Sequence, residues 1–416
     1  MKVCHVTNLL PYYHEGWGGA EQAVYRIAKM LAKEGIENVI AATKPKKQPD
    51  EKKEEFKFYS IPVMQDILGD KFGGFFKRPF DPLAYLSIYR LFRKVKPDIV
   101  HLHNFGNIGF GAILAAKKLK IPVVFSLYDY WCFCPIQTLI KQDYAICTKF
   151  HGPQCLDCLN SRQDMLQKTF ISMRQRMFDS FLFQKVDKFI ALSDFVSGLL
   201  QKYGIRKEKI SVVRLPMEKL NLRNERIKKN SILFVGWIVP RKGLHVIINA
   251  MPKILKEVPN AKLYVDGQED PYEEVYKKEI ESKIKEKQLK KHVFLFKKQE
   301  KGKIQKLIAK SEVLVVPEQW QNMSPLIVIE CMMFGKGIVA SNIGGIPELI
   351  QNKKTGLLAE PGSSEDFARK IIWALKHKKE MDKIRKNARK VAIRLFDEKI
   401  AVKKLVGVYS SLINSE

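Results

Sequence analysis

Twice along this chain a short apolar run gives way to an amphipathic stretch of helical period and then to another apolar run. In the first half the apolar runs are 3–10, 39–43 and 98–103, with helical stretches at 20–33 and 109–119. The rhythm restarts at 231–235 and continues through a helix at 244–257, a strand at 262–266 and a helix at 273–287. A strand at 293–296, a helix at 304–311 and a strand at 313–316 complete it. Runs this short, separated by helix-length segments, are strands buried on both faces by crossover helices, which is the pattern of a parallel sheet. The chain is therefore expected to be α/β, with two doubly wound domains in tandem.

A polar, aperiodic stretch at 219–230 marks the expected linker between a domain at 1–218 and a second at 230–395, with a last amphipathic helix in 396–416. A length of 416 residues suits this division, and 46% hydrophobic residues exclude general disorder. The longest apolar candidate for a membrane span, 99–116, is interrupted by His101, His103, Asn104 and Asn107. The N-terminus enters a strand directly, without an apolar leader, so a cytoplasmic location is expected. Lys and Arg number 73 against 44 Asp and Glu, a net charge of +29. Such a field draws in phosphorylated molecules, anionic lipid or nucleic acid, and a Lys-rich composition accounts for it equally well. No nucleic-acid-binding motif accompanies the charge, so no nucleic-acid partner is expected.

The segment 313–348 carries most of the chemistry. It reads as strand, loop, helix, strand and loop, with Ser324 placed as an N-cap, Pro325 as the first helical residue and Leu326 following it. A helix that begins there offers unpaired N–H groups and the positive end of its dipole to a phosphate. Glu330, about one and a half turns further on, suits two vicinal hydroxyls such as those of a ribose. Taken singly, Glu330 is as easily a solvated charge and Gly344-Gly345 a plain turn.

Taken with other blocks, this segment resembles family-four glycosyltransferases of the GT-B fold over nearly the whole chain. The blocks are Gly18-Gly19-Ala20-Glu21, Pro97 to Asn104, Ala191-Leu192-Ser193, Phe234-Val235-Gly236 with Lys242-Gly243, and Ser341 to Glu348. The resemblance implies two facing Rossmann-like domains with a cleft between them. The second would hold a nucleoside diphosphate sugar and the first a glycan or lipid-linked acceptor. It implies that Glu330 binds the donor ribose, that Lys242 neutralises the diphosphate, and that Gly18, Gly19, Gly236, Ser324, Leu326 and His103 line the donor site. The implied reaction is retaining hexosyl transfer in cell-surface polysaccharide or glycoconjugate synthesis, with protein cations acting where other folds use a metal cofactor.

Three positions depart from that family's pattern. Asn322 stands where a carboxylate is usual, eight residues before Glu330; Tyr128 stands where a histidine is common; Trp237 replaces a phosphate-binding arginine, for which Arg241 is the substitute at hand. A phenol is a poor base near neutral pH. These departures define the alternative reading, a non-catalytic GT-B relative that binds a nucleotide sugar or a partner protein.

Five of seven cysteines fall in an excursion at 132–158, and Cys134, Cys147, Cys155 and Cys158 could close a structural zinc site or remain four reduced thiols. Aromatic and basic residues interleave over 71–96, a pattern that fits either an anionic membrane surface at the inner face of the membrane or a core-facing helix. His101 and His103 lie on one face of a strand, as ligand-facing or as satisfied core imidazoles.

Overall fold

The computed structural model describes residues 1–14, 17–50, 54–67, 80–131, 133–134, 136–141, 145–148, 155, 157–158, 183–217, 226–269, 274–297 and 301–414. The chain forms two compact units, Met1–Met217 with Phe396–Glu416, and Glu218–Leu395. Each is built on one parallel sheet.

Among the described residues the first unit has seven strands: β1 (Lys2–Val6), β2 (Glu37–Ala42), β3 (Lys57–Ser60), β4 (Ile99–Leu102), β5 (Val123–Ser126), β6 (Lys188–Ala191) and β7 (Ile210–Val212). They lie in the order β3-β2-β1-β4-β5-β6-β7. Helices α1 (Gly19–Lys33), α2 (Pro82–Val95), α3 (Gly111–Lys118) and α4 (Asp194–Lys202) are the described crossovers of helical length. Burial on both faces explains the continuous apolar reading of β4 and β5, whose residues are all buried.

Among the described residues the second unit has six strands: β8 (Ser231–Ile238), β9 (Lys262–Glu269), β10 (Val293–Lys297), β11 (Val313–Val316), β12 (Gly337–Ser341) and β13 (Leu357–Ala359), in the order β10-β9-β8-β11-β12-β13. Between and after them run α5 (Leu244–Glu257), α6 (Glu274–Glu286), α7 (Lys301–Lys310), α8 (Leu326–Met333), α9 (Ser364–Lys376) and α10 (Lys378–Leu395). Apolar faces of α5, α6 and α9 pack on β8, β9 and β11 as one core, with Ile247, Leu263, Val265 and Phe367 fully buried.

Both sheets reverse direction next to their first strand, between β1 and β4 and between β8 and β11. In doubly wound sheets ligands bind at the carboxyl ends of the strands flanking such a reversal. The topology therefore points to 7–8 with 103–104, and to 236–243 with 317–322.

The last helix, α11 (Glu398–Ile413), folds back onto the first unit, with Lys33 and Glu398 paired at 3.0 Å. Val402, Leu405 and Tyr409 join Leu31, Ile99 and Val124 in one apolar cluster. Of the expected linker, 219–225 lies outside the described residues; at 228 the backbone already bonds to Lys310 in the second unit.

Candidate active site

In the second unit β8 runs out through Gly236 and Trp237 into a single turn, Pro240–Lys242, which ends at Gly243. Gly243 has φ +72°, and a β-carbon there would stand 1.8 Å from the carbonyl oxygen of Pro317. Only glycine permits that approach, which brings the turn against the loop leaving β11. Lys242 Nζ then lies 2.5 Å from Glu318 Oε1. The Arg241 guanidinium sits over the Trp320 ring at 4.9 Å and the Lys242 ammonium at 5.6 Å. Gly236, at φ +155°, is close enough that an added β-carbon would touch the Lys242 side chain.

Glu318 organises this loop. Its carboxylate is 2% exposed and accepts from Lys242, from the Trp320 indole N–H and from Asn322 Nδ2 at 3.1 Å. Burial pushes the Lys242 ammonium below the ordinary lysine value, Glu318 works against that shift, and the charge of Arg241 adds to it. Asn322 is also bonded through its backbone, accepting from Gly345 at 2.8 Å. The turn at Gly344, φ +60°, packs so tightly that a β-carbon would meet the Asn322 backbone oxygen at 2.6 Å. An amide suits position 322 because a carboxylate there would face that of Glu318. The negative charge of this loop is at 318.

Sequence reasoning missed Glu318, although it lies two residues beyond the carboxyl end of β11, where the topology directs attention. The helix start is also corrected: α8 begins at Leu326 with Pro325 as its cap, and Ser324 makes no capping bond. Pro325 has the φ of −68° that its ring imposes but an extended ψ of 113°, so the helix starts one residue later. The Ser324 hydroxyl is instead buried with no hydrogen-bond partner. Leu326 is the first helical residue, and Glu330 lies partly exposed on the same helix, one turn further on.

In the first unit, Gly18 caps α1, and its N–H donates to Glu21 Oε2 at 2.8 Å. The expected open amide is thus taken by a carboxylate of the helix itself, while Gly19 opens the helix. His103 is buried, bonded to His5 at 3.0 Å and to Tyr128 at 3.1 Å. His5, His101 and His103 are the group of potential metal-binding side chains brought together among the described residues, with ligand atoms within 4.8 Å. Each of their ring nitrogens is already hydrogen-bonded, so the set is a hydrogen-bonded row.

The thiols of Cys134, Cys147, Cys155 and Cys158 do not form such a group among the described residues. Cys158 is near Cys134 and Cys147, and burial followed by their influence pushes its thiol up. Cys132 lies outside the described residues. Of the basic aromatic stretch, 71–79 is also outside; within 80–96, α2 buries Ala84, Ile88, Leu91 and Phe92 and leaves Leu86 exposed. That is a core-facing helix.

Two family models match the chain in sequence: Glycosyltransferase Family 4 over residues 17–217 and Glycosyl transferases group 1 over residues 218–391. The chain belongs to the family-four glycosyltransferases. Its architecture is GT-B, and solved structures of that fold superpose over nearly the whole length. Anabaena HepE in complex with UDP-glucose matches with a TM-score of 0.73 at 17% identity, covering 99% of this chain and 100% of that one. Sucrose-phosphate synthase of Thermosynechococcus elongatus matches with a TM-score of 0.74 at 16% identity over 100% of both chains. Among curated relatives, the sulfoquinovosyl transferase SQD2 of Arabidopsis thaliana is 26% identical over 307 residues, 71% of this chain and 53% of its own. An Escherichia coli UDP-Gal:alpha-D-GlcNAc-diphosphoundecaprenol alpha-1,3-galactosyltransferase is 23% identical over 342 residues, 80% of each. For the first curated relatives the chain spans between 46% and 64% of their own length.

Proposed function

We propose that this protein is a retaining hexosyltransferase that moves a sugar from a uridine diphosphate donor to a glycan or lipid-linked acceptor at the inner face of a membrane. The observation that carries the reading is the convergence in the second unit of Lys242 and Arg241 on the loop 317–322. That loop leads directly into the helix bearing Glu330. Breaking the anomeric C–O bond leaves negative charge on the departing diphosphate, and cations fixed in advance at a low-dielectric site lower that barrier. Lys242 and Arg241 are such cations, held before any ligand arrives by Glu318 and Trp320. The unpartnered Ser324 hydroxyl and the first amides of α8 supply donors for phosphate oxygens. Glu330 accepts from the ribose hydroxyls. Uridine is favoured by the HepE complex and by the named donor of the E. coli relative. The acceptor class is supported by the latter's name, and retention by family membership.

The experiment is donor turnover. Purified protein incubated with UDP-glucose or UDP-galactose should release UDP slowly even without acceptor, and Lys242→Ala should reduce that release about a hundredfold or more. The released sugar should first appear with the donor's anomeric configuration by NMR.

One observation favours the alternative, a nucleotide-sugar binder without turnover: the Lys242 charge is already matched by Glu318. That reading predicts thermal stabilisation by UDP with no release of UDP from the sugar nucleotide. The same pair of measurements decides between them.

A further inference from the structure

In the second unit the two faces of the sheet differ at its β10 edge. Leu263, Val265 and Val293 belong to the core beneath α5, α6 and α9. Side chains alternate along a strand, so Tyr264, Phe294 and Phe296 stand on the opposite face. In parallel register Phe294 is beside Tyr264, and β10 is the last strand of the sheet. α7 meets this face at Tyr264, where Leu307 and Lys310 share a hollow with it, Leu233 and Lys228. Phe296 is left 37% exposed, and Tyr264 and Phe294 are half-buried.

The three rings form one stack. Tyr264 and Phe294 lie 5.4 Å apart between centroids at an interplanar angle of 18°, and Tyr264 and Phe296 lie 6.3 Å apart at 3°. Lys228 Nζ stands over the Tyr264 ring at 5.0 Å and Lys262 Nζ over the Phe294 ring at 5.8 Å. Both lysines are exposed. The basic character continues along the chain. Residues 287–311 contain nine lysines and one glutamate, which is more than a quarter of the net charge of +29 in a short part of the 416 residues. Lys290, Lys291, Lys303 and Lys306 of this segment are exposed. A lysine-rich composition spreads its charge, whereas this charge is gathered on the strand and the helix that adjoin the rings.

Three occupants suit a basic aromatic surface: a nucleic acid, a second copy of the chain and an anionic lipid leaflet. Bases stack on free ring faces, and here the faces of Tyr264 and Phe294 are turned to one another and to Lys228 and Lys262, with Phe296 in the same row. A second copy pairing with the edge of β10 would bring two such charged segments together, and lysines along an edge strand oppose that pairing. A leaflet needs no free ring face. Ring edges and the exposed Phe296 enter the headgroup boundary, while lysine stems lie along the rings and their ammonium groups stay with the phosphates.

We infer that this face of the second unit, formed by Phe294 and Phe296 with Lys228 and Lys262, docks the protein on an anionic phospholipid surface. The interleaved aromatic and basic residues within 80–96 of the first unit belong to a core-facing helix, so the docking face is in the other unit. The inference deepens the reading that places the acceptor at a membrane and rests on it for its purpose, but its test needs no turnover.

The test is cosedimentation of the full chain with vesicles of phosphatidylcholine containing phosphatidylglycerol, at about 0.05 M salt, where screening is weak. Each lysine near such a surface is worth roughly fivefold in partitioning. Lys228→Gln combined with Lys262→Gln should therefore weaken binding about thirtyfold, against less than about threefold for Lys202→Gln combined with Lys207→Gln, two exposed lysines of the first unit. Phe296→Gln keeps the charge and should weaken binding several-fold. Phe296→Trp should bind as the wild type does and gain an indole that bromine-labelled phosphatidylcholine in the same vesicles quenches. Equal losses from the two lysine pairs, an unquenched indole, or equal binding to vesicles of phosphatidylcholine alone overturns the inference. So does binding to a single-stranded oligonucleotide, or self-association, that is lost in the Lys228 and Lys262 variant while vesicle binding remains. UDP release in solution decides the transfer reading separately, and the docking variants should keep it. Vesicle binding without turnover defeats only that reading, and turnover without vesicle binding defeats only this one.

Discussion

At the scale of single residues, the second unit depends on where one carboxylate stands. Glu318 binds Lys242, Trp320 and Asn322 at once, and breaking a buried pair by removing one partner costs on the order of 3–5 kcal/mol. Asn322→Glu places a second carboxylate against the first. It should lower the melting temperature and weaken UDP binding together, as differential scanning fluorimetry with and without UDP will show; a variant with unchanged stability contradicts the description of the loop. Gly243→Ala is a sharper case. The left-handed backbone alone costs a β-carbon roughly 1–2 kcal/mol, and the contact with Pro317 forces the turn and the loop apart. Turnover should be lost with Lys242 intact, and circular dichroism should show the remaining fold retained.

At the scale of elements, most of the fold was legible because burial on both faces writes strands as short apolar runs, and 3.6-residue periodicity writes the crossovers between them. The expected strand at 313–316 and the expected helix at 244–257 coincide with β11 and α5 for that reason. The start of α8 was misread by one residue because the ring of Pro325 fixes only φ, which suits a first helical residue and a cap alike, and ψ, at 113°, makes it the cap. The role of Glu318 was not legible, since its ion pair is with Lys242, which is distant in sequence. Ser324→Ala should therefore leave stability within about 0.5 kcal/mol, because the hydroxyl has no partner to lose, yet weaken UDP binding in calorimetry. The histidine layer gives the first unit a pH dependence. His5 is held down at about 4 and His101 and His103 well below their ordinary value, so between about pH 6.5 and 4 the unfolded chain binds protons that the native chain does not. Its stability is complete above pH 6.5 and falls as the pH drops through that window. Urea unfolding followed from pH 7 to 4.5 should show the loss, and His5→Gln, which removes one of the titrating groups, should make the slope shallower. Tyr409 faces this layer from α11 with its hydroxyl on His101, and burial pushes its phenol well above the ordinary value.

At the scale of the molecule, no helix among the described residues is long and apolar enough to cross a membrane, while the sequence carries a net charge of +29. Under the proposed function, in which the acceptor is a glycan or lipid-linked, surface charge is a means of reaching a lipid-linked acceptor. Lysine and arginine near an anionic leaflet each contribute about 1 kcal/mol, and the attraction decays within a Debye length of roughly 10 Å at 0.1 M salt. The expected behaviour is cosedimentation with vesicles containing anionic phospholipid at about 0.05 M salt, release as the screening length shortens to about 3 Å near 1 M, and no binding to zwitterionic vesicles. Retention at high salt would point to apolar insertion in place of electrostatic attraction. Indifference to the anionic lipid at low salt would leave the charge as a matter of composition and move the acceptor away from the membrane.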